Sequence, residues 1–468
     1  MSAALKRFDE YQPSAVRWVD DVPIHWRSRR IKTFLREVDQ RSGTGQGALL
    51  TMRRASGLVP LSDFSDKITE PERLRHYKVA SPGQIVMNPM QAGNGMFAIC
   101  HTPGLISPDY RAFELTDDAD ARYLIASFKS EAMRATFRAE SKGLGTGTAG
   151  FLRLYPERFG SLFAPFPPPE EQRRIADFLD AYTAQVHRLI AAKRRLLKAV
   201  REQNQLALHE LLVRGVDRDV PLTPSGHPWL GDVPQGWEVA PLKQFAAVNP
   251  PLGRALPGGT DEVAFLPMER IGVDAVVDYS ERRQVQTVSS GFTSFGVGDV
   301  VLAKITPCFE NGKSAWLNEM PTPVGFGTTE LHVLRPTSRL RPELLLQWLR
   351  LDLFRQWGEV SMVGAAGQQR VPPRFVRDFV IAASPSAEEQ ERMVAEAQAL
   401  NEEHRFVTDR IRREIELILE YRDSLIAAAV TGRLDLRDAA IPFVEGDDLA
   451  DDSATDDEDM EDALDAVD

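Results

Sequence analysis

Cysteine is nearly absent: Cys100 and Cys308 are the only two among 468 residues, and neither sits at the short spacing of a zinc site. Disulfide frameworks and cysteine-based metal centres are therefore excluded as the organising principle. Apolar runs are short, none approaching the roughly 18 residues of a membrane-spanning helix. The first residues, MSAALKRFDEYQPS, lack the apolar core of a signal peptide. A cytoplasmic chain with no membrane partner is expected. Catalytic signatures are missing as well. There is no Gly-Lys-Ser/Thr, no His-Glu-x-x-His and no Gly-x-Ser-x-Gly, and the eight histidines are scattered. No catalytic cluster, no metal site and no cofactor bound by this chain are expected.

Basic residues are absent from one strongly acidic stretch. Glu445 to Asp468 carries thirteen acidic residues and no Lys or Arg, so the formal charge of −12 leaves residues 1–444 at +1 (−12 + 13). That tail is low in apolar residues and is expected to be disordered and solubilising.

The chain is organised around the stretch from Pro169 to Gly215. Ile175, Leu179, Tyr182, Val186, Leu189, Lys193, Leu196, Val200, Gln203 and Ala207 alternate steps of four and three, the seam of a coiled-coil helix. Glu170-Glu171-Gln172 opens it after Pro167, Pro168 and Pro169, with carboxylates at the positive end of the helix dipole. Shifted by 218 residues, Glu388-Glu389-Gln390 opens a second run. Its seam is Met393, Ala397, Leu400, His404, Val407, Ile411, Glu414, Ile418, Tyr421 and Leu425. Residues 170–215 sum to +3 (9 − 6) and residues 386–444 to −5 (8 − 13). Opposite charge favours pairing these two helices with each other.

The remainder is duplicated too. Pro13-Ser14-Ala15, Trp18, Asp21-Val22-Pro23, Trp26, Lys32 and Phe34 return 211 residues later as Pro224-Ser225-Gly226, Trp229, Asp232-Val233-Pro234, Trp237, Lys243 and Phe245. Ser81–Val86 matches Gly296–Val301 as a turn into a strand, and Asn94-Gly95 matches Asn311-Gly312 as a tight turn. Helical patterns, a Gly-rich loop and a last strand follow in each copy. The sequence predicts an α+β chain with a pseudo-two-fold axis: two mixed α/β domains (1–168 and 216–385), two long antiparallel coiled-coil helices (169–215 and 386–437) and an acidic tail (438–468).

Asn249-Pro250-Pro251-Leu252 resembles the catalytic tetrapeptide of amino-methyltransferases, but Leu stands where an aromatic would stack a flipped base. A domain-opening turn is the favoured reading. The basic and amide groups suited to DNA are Arg53, Arg54 and Lys142 in the first copy, and Arg270, Lys304, Lys313, Gln368, Gln369 and Arg370 in the second. Arginine pairs with guanine and glutamine with adenine in the major groove.

With the repeat laid out, the chain resembles the specificity subunit of type I restriction-modification systems. The features that carry this are Pro167–Gln172 opening a long helix, its second copy from Glu388, and the paired Pro-Ser-x-x-Trp…Val-Pro-x-x-Trp segments. The resemblance covers residues 11 to about 437 and implies two target-recognition domains, each reading half of an interrupted, asymmetric sequence in double-stranded DNA. It implies a helical ruler between them, whose seam would be Ile175, Leu179, Tyr182, Val186, Leu189, Val200, Met393, Leu400, Val407, Ile411, Ile418, Tyr421 and Leu425. The implied partners are two methyltransferase subunits, which bind AdoMet, and a restriction subunit using ATP and Mg²⁺. Two other classes stay open from sequence: a stand-alone DNA amino-methyltransferase, and a coiled-coil scaffold that does not bind DNA.

Overall fold

The structure, a computed structural model, describes residues 6–54, 56–65, 70–144, 151–365 and 367–441. The acidic run from Glu445, the tip of the first Gly-rich loop and the disorder expected of the tail lie outside the described residues. Six helices frame the account: α1 (Ala121–Lys129), α2 (Glu131–Glu140), α3 (Pro169–Arg214), α4 (Pro342–Arg350), α5 (Asp352–Val360) and α6 (Ala387–Val430). The chain divides into two units, Met1–Arg194 with Arg412–Asp468, and Arg195–Ile411. The division falls inside both long helices.

Each unit holds the same central sheet. In the first, the antiparallel order is Leu35–Val38, Arg111–Leu115, Ile85–Met87, Phe97–Ile99. In the second it is Ala246–Val248, Leu331–Pro336, Val300–Ala303, Ser314–Trp316. The inner strands Ile85–Met87 and Val300–Ala303 read as unbroken apolar runs because both faces are covered. Ile85 and Met87 face the helices, with Phe97, Phe128, Phe137 and Phe159, while Val86 faces a second layer with Leu50, Met52 and Ile106. Their counterparts 215 residues on divide in the same way, Val300 and Leu302 to one core and Val301 to the other. The second layer differs between the copies. In the second unit it is a four-stranded sheet, Arg282–Gln284, Glu262–Leu266, Val324–Gly327, Thr293–Gly296. In the first, two separate pairs stand in its place, joined by one parallel bridge between Leu49 and Leu105.

The Glu-Glu-Gln triplets explain themselves here. Gln172 is fully buried; its Oε1 accepts from Asp120 N at 2.9 Å, and its Nε2 donates to Asp118 O and Pro167 O at 3.1 and 2.9 Å. Gln390 repeats this with Arg341 N, Arg339 O and Ser384 O, each at 2.8 Å. One amide thus ties the start of a long helix to the cap of α1 or α4 and to the strand end before it. Glu171 accepts from the Trp26 indole at 2.8 Å, and Glu389 from Val216 N at 3.0 Å. Gln172→Ala strips partners from three backbone groups, one buried and two partly buried. It is expected to cost the first unit about 2 kcal/mol, read as a lower urea midpoint at unchanged slope.

Both long helices stop at left-handed glycines, Gly215 (φ 69°) after α3 and Gly432 (φ 73°) after α6. The second helix therefore ends at Val430 instead of continuing to 437. The buried face of α3 also departs from a strict heptad. After Val186 the buried residue is Ile190, while Leu189 is 47% exposed; Leu196 is 48% exposed and Leu197 half-buried. A step of four in place of three keeps the face in phase with the 3.6-residue turn of a straight helix. On α6, Met393, Ala397, Ile411 and Leu425 are buried, whereas Tyr421 is 58% exposed. Val200, Leu400, Val407 and Ile418 are half-buried.

The helices run antiparallel. Within the first unit Tyr182 meets Tyr421 with ring centroids 6.4 Å apart, and further along α3 Lys193 Nζ lies 2.5 Å from Glu414 Oε2, earlier on α6. Lys193 and Glu414 interrupt the two apolar seams in the sequence; in the fold they are partners. Both keep contact with solvent, so the pair contributes less than about 1 kcal/mol, and its value lies in fixing register.

Candidate nucleic-acid interface

In the second unit the strand Val300–Ala303 runs out into Lys304, and the chain then turns back. Lys304 N donates to Glu330 O at 2.9 Å and its carbonyl accepts from Val371 N at 2.8 Å. Thr306 N donates to Gln369 O at 3.0 Å, and Gln369 N to the Thr306 hydroxyl at 3.2 Å. These bonds lay the Gly-rich loop from Val363 to Arg370 against the turn. Lys313 is pinned to the same place, its carbonyl accepting from Ala303 N at 2.9 Å and its Nζ donating to Met268 O at 3.1 Å. That second bond brings in the turn Met268–Arg270. Arg270, Lys304, Lys313, Gln368, Gln369 and Arg370 are thus gathered at one end of the central sheet.

Their charges are not all available. Arg370 holds Glu330 through two bonds of 2.9 Å, which keep that carboxyl below its ordinary pKa. Arg270 is ion-paired with Asp278. Lys304 and Gln368 make no side-chain hydrogen bond or ion pair among the described residues. They are the better candidates for a base or phosphate.

In the first unit Lys142 is exposed on the hairpin Lys142–Leu144 with Phe151–Arg153. Leu154 N donates to Pro89 O at 2.9 Å, so this hairpin also leans on the turn after the central strand. Arg53 and Arg54 close a strand of the other layer, Leu50–Arg53, where the Arg53 guanidinium lies 4.2 Å from the Phe64 ring centre. No hydrogen bond or ion pair described here joins them to Lys142.

The edge strand Arg282–Gln284 escapes a motif search. All three side chains are exposed. Arg283 stacks 3.6 Å from the Phe265 ring centre and bonds Glu281 at 2.7 Å, while Arg282 makes no ion pair among the described residues. The corresponding edge in the first unit is Gly57–Pro60, uncharged. The signal was present as Arg-Arg-Gln beside an apolar strand, but only the pairing shows that it forms an edge.

Asn249 is not poised for chemistry. Its Oδ1 accepts from Val333 N at 2.9 Å, and its Nδ2 lies 3.1 Å from His332 Nδ1. Pro251 O accepts from Arg335 at 3.0 Å. These bonds hold a strand edge in place, and a left-handed φ of 51° suits asparagine at such a turn. Among the described residues no cluster of His, Cys, Asp or Glu has the makings of a metal site.

His332 completes that network, its Nε2 lying 2.9 Å from Val371 O. Burial pushes its imidazole below the ordinary pKa, outweighing the bond to Val371, and Lys304 adds to the depression; His209 is likewise lowered by burial. The unfolded chain regains the ordinary value of about 6.5 and there binds more protons. Stability is therefore fully present above about pH 6.5 and is lost as the pH falls through it. The urea midpoint is expected to be lower at about pH 5.5 than at about pH 7.5, with a smaller drop in His332→Gln.

No family model matches the chain. Two curated proteins of Escherichia coli are similar to part of it. It is 35% identical over 214 residues to the type I restriction enzyme EcoEI specificity subunit, and 39% identical over 167 residues to that of EcoAI. These matches cover 44% and 35% of this chain, but only 34% and 28% of the relatives' own length. A solved chain from a study of complex assembly in a type I restriction-modification system superposes with a TM-score of 0.65. That alignment covers 88% of this chain and 99% of that one at 15% identity, which establishes the fold. The chain thus resembles type I specificity subunits over part of its sequence. The duplicated mixed α/β architecture with two long helices is the fold shared with that solved chain. No described helix is long and apolar enough to cross a membrane.

Proposed function

We propose that this chain is the non-catalytic, DNA-reading subunit of a type I restriction-modification complex. Each unit reads one half of an interrupted, asymmetric duplex sequence, and α3 with α6 fixes the spacing. The observation that carries this is selective divergence. The Gln172 and Gln390 ties and the central sheets are the same in both copies, whereas the exposed loops and edges differ in charge, length and amide content. Two readers of different half-sites require that combination. The locked Asn249 weighs against a stand-alone methyltransferase.

The partners follow from the helix surface. Tyr182, Val186, Leu189, Leu417, Ile418 and Tyr421 line an open apolar groove in the first unit, and Phe406 is 71% exposed on α6 in the second. Apolar stripes on long helices fit helices of another subunit. In this reading they receive two methyltransferase subunits, which supply AdoMet and methylate adenine. A restriction subunit brings ATP and Mg²⁺, and the whole complex works in the cytoplasm.

The test is co-expression with a methyltransferase subunit of a type I system, followed by mapping of methylated adenines. A two-part motif with an unread spacer is expected. Methylation with no such motif, or by the methyltransferase alone, would reject the proposal.

A further inference from the structure

One corner is preserved in both units although the surfaces around it diverge. In the first unit α2 opens on Glu131, and Arg134 one turn later pairs with it at 3.3 Å while reaching toward Gly93 O. In the second, α5 opens on Asp352, and Arg355 pairs with it while donating to Glu310 O at 3.0 Å. Both inner arginines lie on an Asn-Gly turn. A Cβ added at Gly95 would meet Arg134 Cδ at 3.3 Å, and one at Gly312 would meet Arg355 Nη1 at 3.0 Å.

A second, outer arginine is then supplied from a different place in each copy. Arg138, on α2 itself, pairs with Glu131 and also donates to Gly93 O at 2.8 Å, beside Arg134. Arg201, on the long helix α3, lies 3.1 Å from Asp352. The repeat does not relate these two: the offset of 221 that matches Arg134 to Arg355 carries Arg138 onto Glu359. The outer arginine side chains are 40% and 56% exposed. Each corner thus sets two guanidiniums on one carboxylate, and the second adds Arg350, whose Nη1 is buried without a hydrogen bond, as is Arg355 Nε. Burial and, next, the neighbouring Arg201 lower the Arg355 pKa despite the attraction of Glu359.

A ligand that meets both corners must be anionic and must look the same to two domains of different specificity. Bases fail that condition and backbone phosphates meet it. We infer that Arg138 and Arg201, each propped by an inner arginine on an Asn-Gly turn, grip phosphodiester groups of the duplex without regard to sequence. This rests on the DNA-reading function proposed above.

The experiment uses the full chain assembled with its methyltransferase partner. Binding to a duplex carrying the methylated motif and to an unrelated duplex is measured over a salt series for the wild type, Arg138→Gln, Arg201→Gln and the double variant. Each lost phosphate contact is expected to reduce the slope of log K against log salt by about 0.9, and the double variant by about 1.8, on both duplexes. The methylated motif should not change, and Arg138→Lys should retain the slope. Arg413→Gln, an exposed arginine on α6 paired with Glu416, serves as the control and should leave the slope alone. Slopes unchanged in Arg138→Gln and Arg201→Gln overturn the inference, as does a fall in partner assembly in place of DNA binding. A slope lost equally in Arg138→Lys assigns the corner to structure and also overturns it. A wild-type complex that binds no DNA refutes the underlying function instead.

Discussion

Replacing residues 1–168 with the equivalent block of a related subunit is expected to change one half of the methylated sequence completely and leave the other half untouched. The physical reason is the independence of the two cores. The first unit's aromatic cluster of Phe97, Phe113, Phe128, Phe137 and Phe159 contains only residues of that unit, and the Phe309, Phe354, Phe375 and Phe379 cluster only residues of the other. The exchange must respect the joints that hold the block to its helix. Gln172 binds Asp118, Asp120 and Pro167, Glu171 binds Trp26 and His25, and the Tyr123 hydroxyl reaches Val430 O at 3.3 Å. A donor block that keeps a tryptophan and an aspartate cap at those positions should dock on α3 and α6 without repacking. Sequencing of methylated adenines reads the result directly. If both halves of the motif change together, the two units do not read separately and the proposed function fails.

How far the sequence carries depends on the range of the interaction. The duplication, the two long helices and their antiparallel pairing follow from patterns within one segment or from a fixed offset, and each is legible in the chain. What a polar residue does at long range is not. Gln172 stands out as the third letter of a motif, but its bonds to the α1 cap fifty residues earlier exist only in the fold. Lys193 and Glu414 interrupt their separate seams, and only the pairing turns two interruptions into one ion pair. The heptad count places Leu189 on the seam because it assumes 3.5 residues per turn; a straight helix accumulates about 20° of drift per heptad and rotates Ile190 into that place. Among the basic candidates, Arg270 and Arg370 look free in the sequence, yet Asp278 and Glu330, eight and forty positions away, engage them. The outer arginines Arg138 and Arg201 carry no motif at all.

Inserting four residues after Arg194 and four more after Ile411 is expected to lengthen the unread spacer by one or two base pairs, with both half-sites unchanged. These are the points where the two units part within α3 and α6. Matched insertions keep the antiparallel partners level, so Lys193 still meets Glu414 and Gln390 still meets Arg341. Four residues add about 6 Å to each helix at 1.5 Å per residue. At 100° per residue they also turn it by about 40° beyond a full revolution, a displacement that the seam absorbs as a stutter. One base pair of B-DNA advances by about 3.4 Å, so the added length corresponds to one or two steps. Two residues inserted at each point would turn each helix by about 200° there, so that the seams before and after the insertion fall on opposite faces, and assembly is expected to be abolished. Mapping methylated adenines in cells carrying each variant gives the spacer as a count. An active four-residue variant with the original spacer would show that α3 and α6 do not set the distance between the two half-sites.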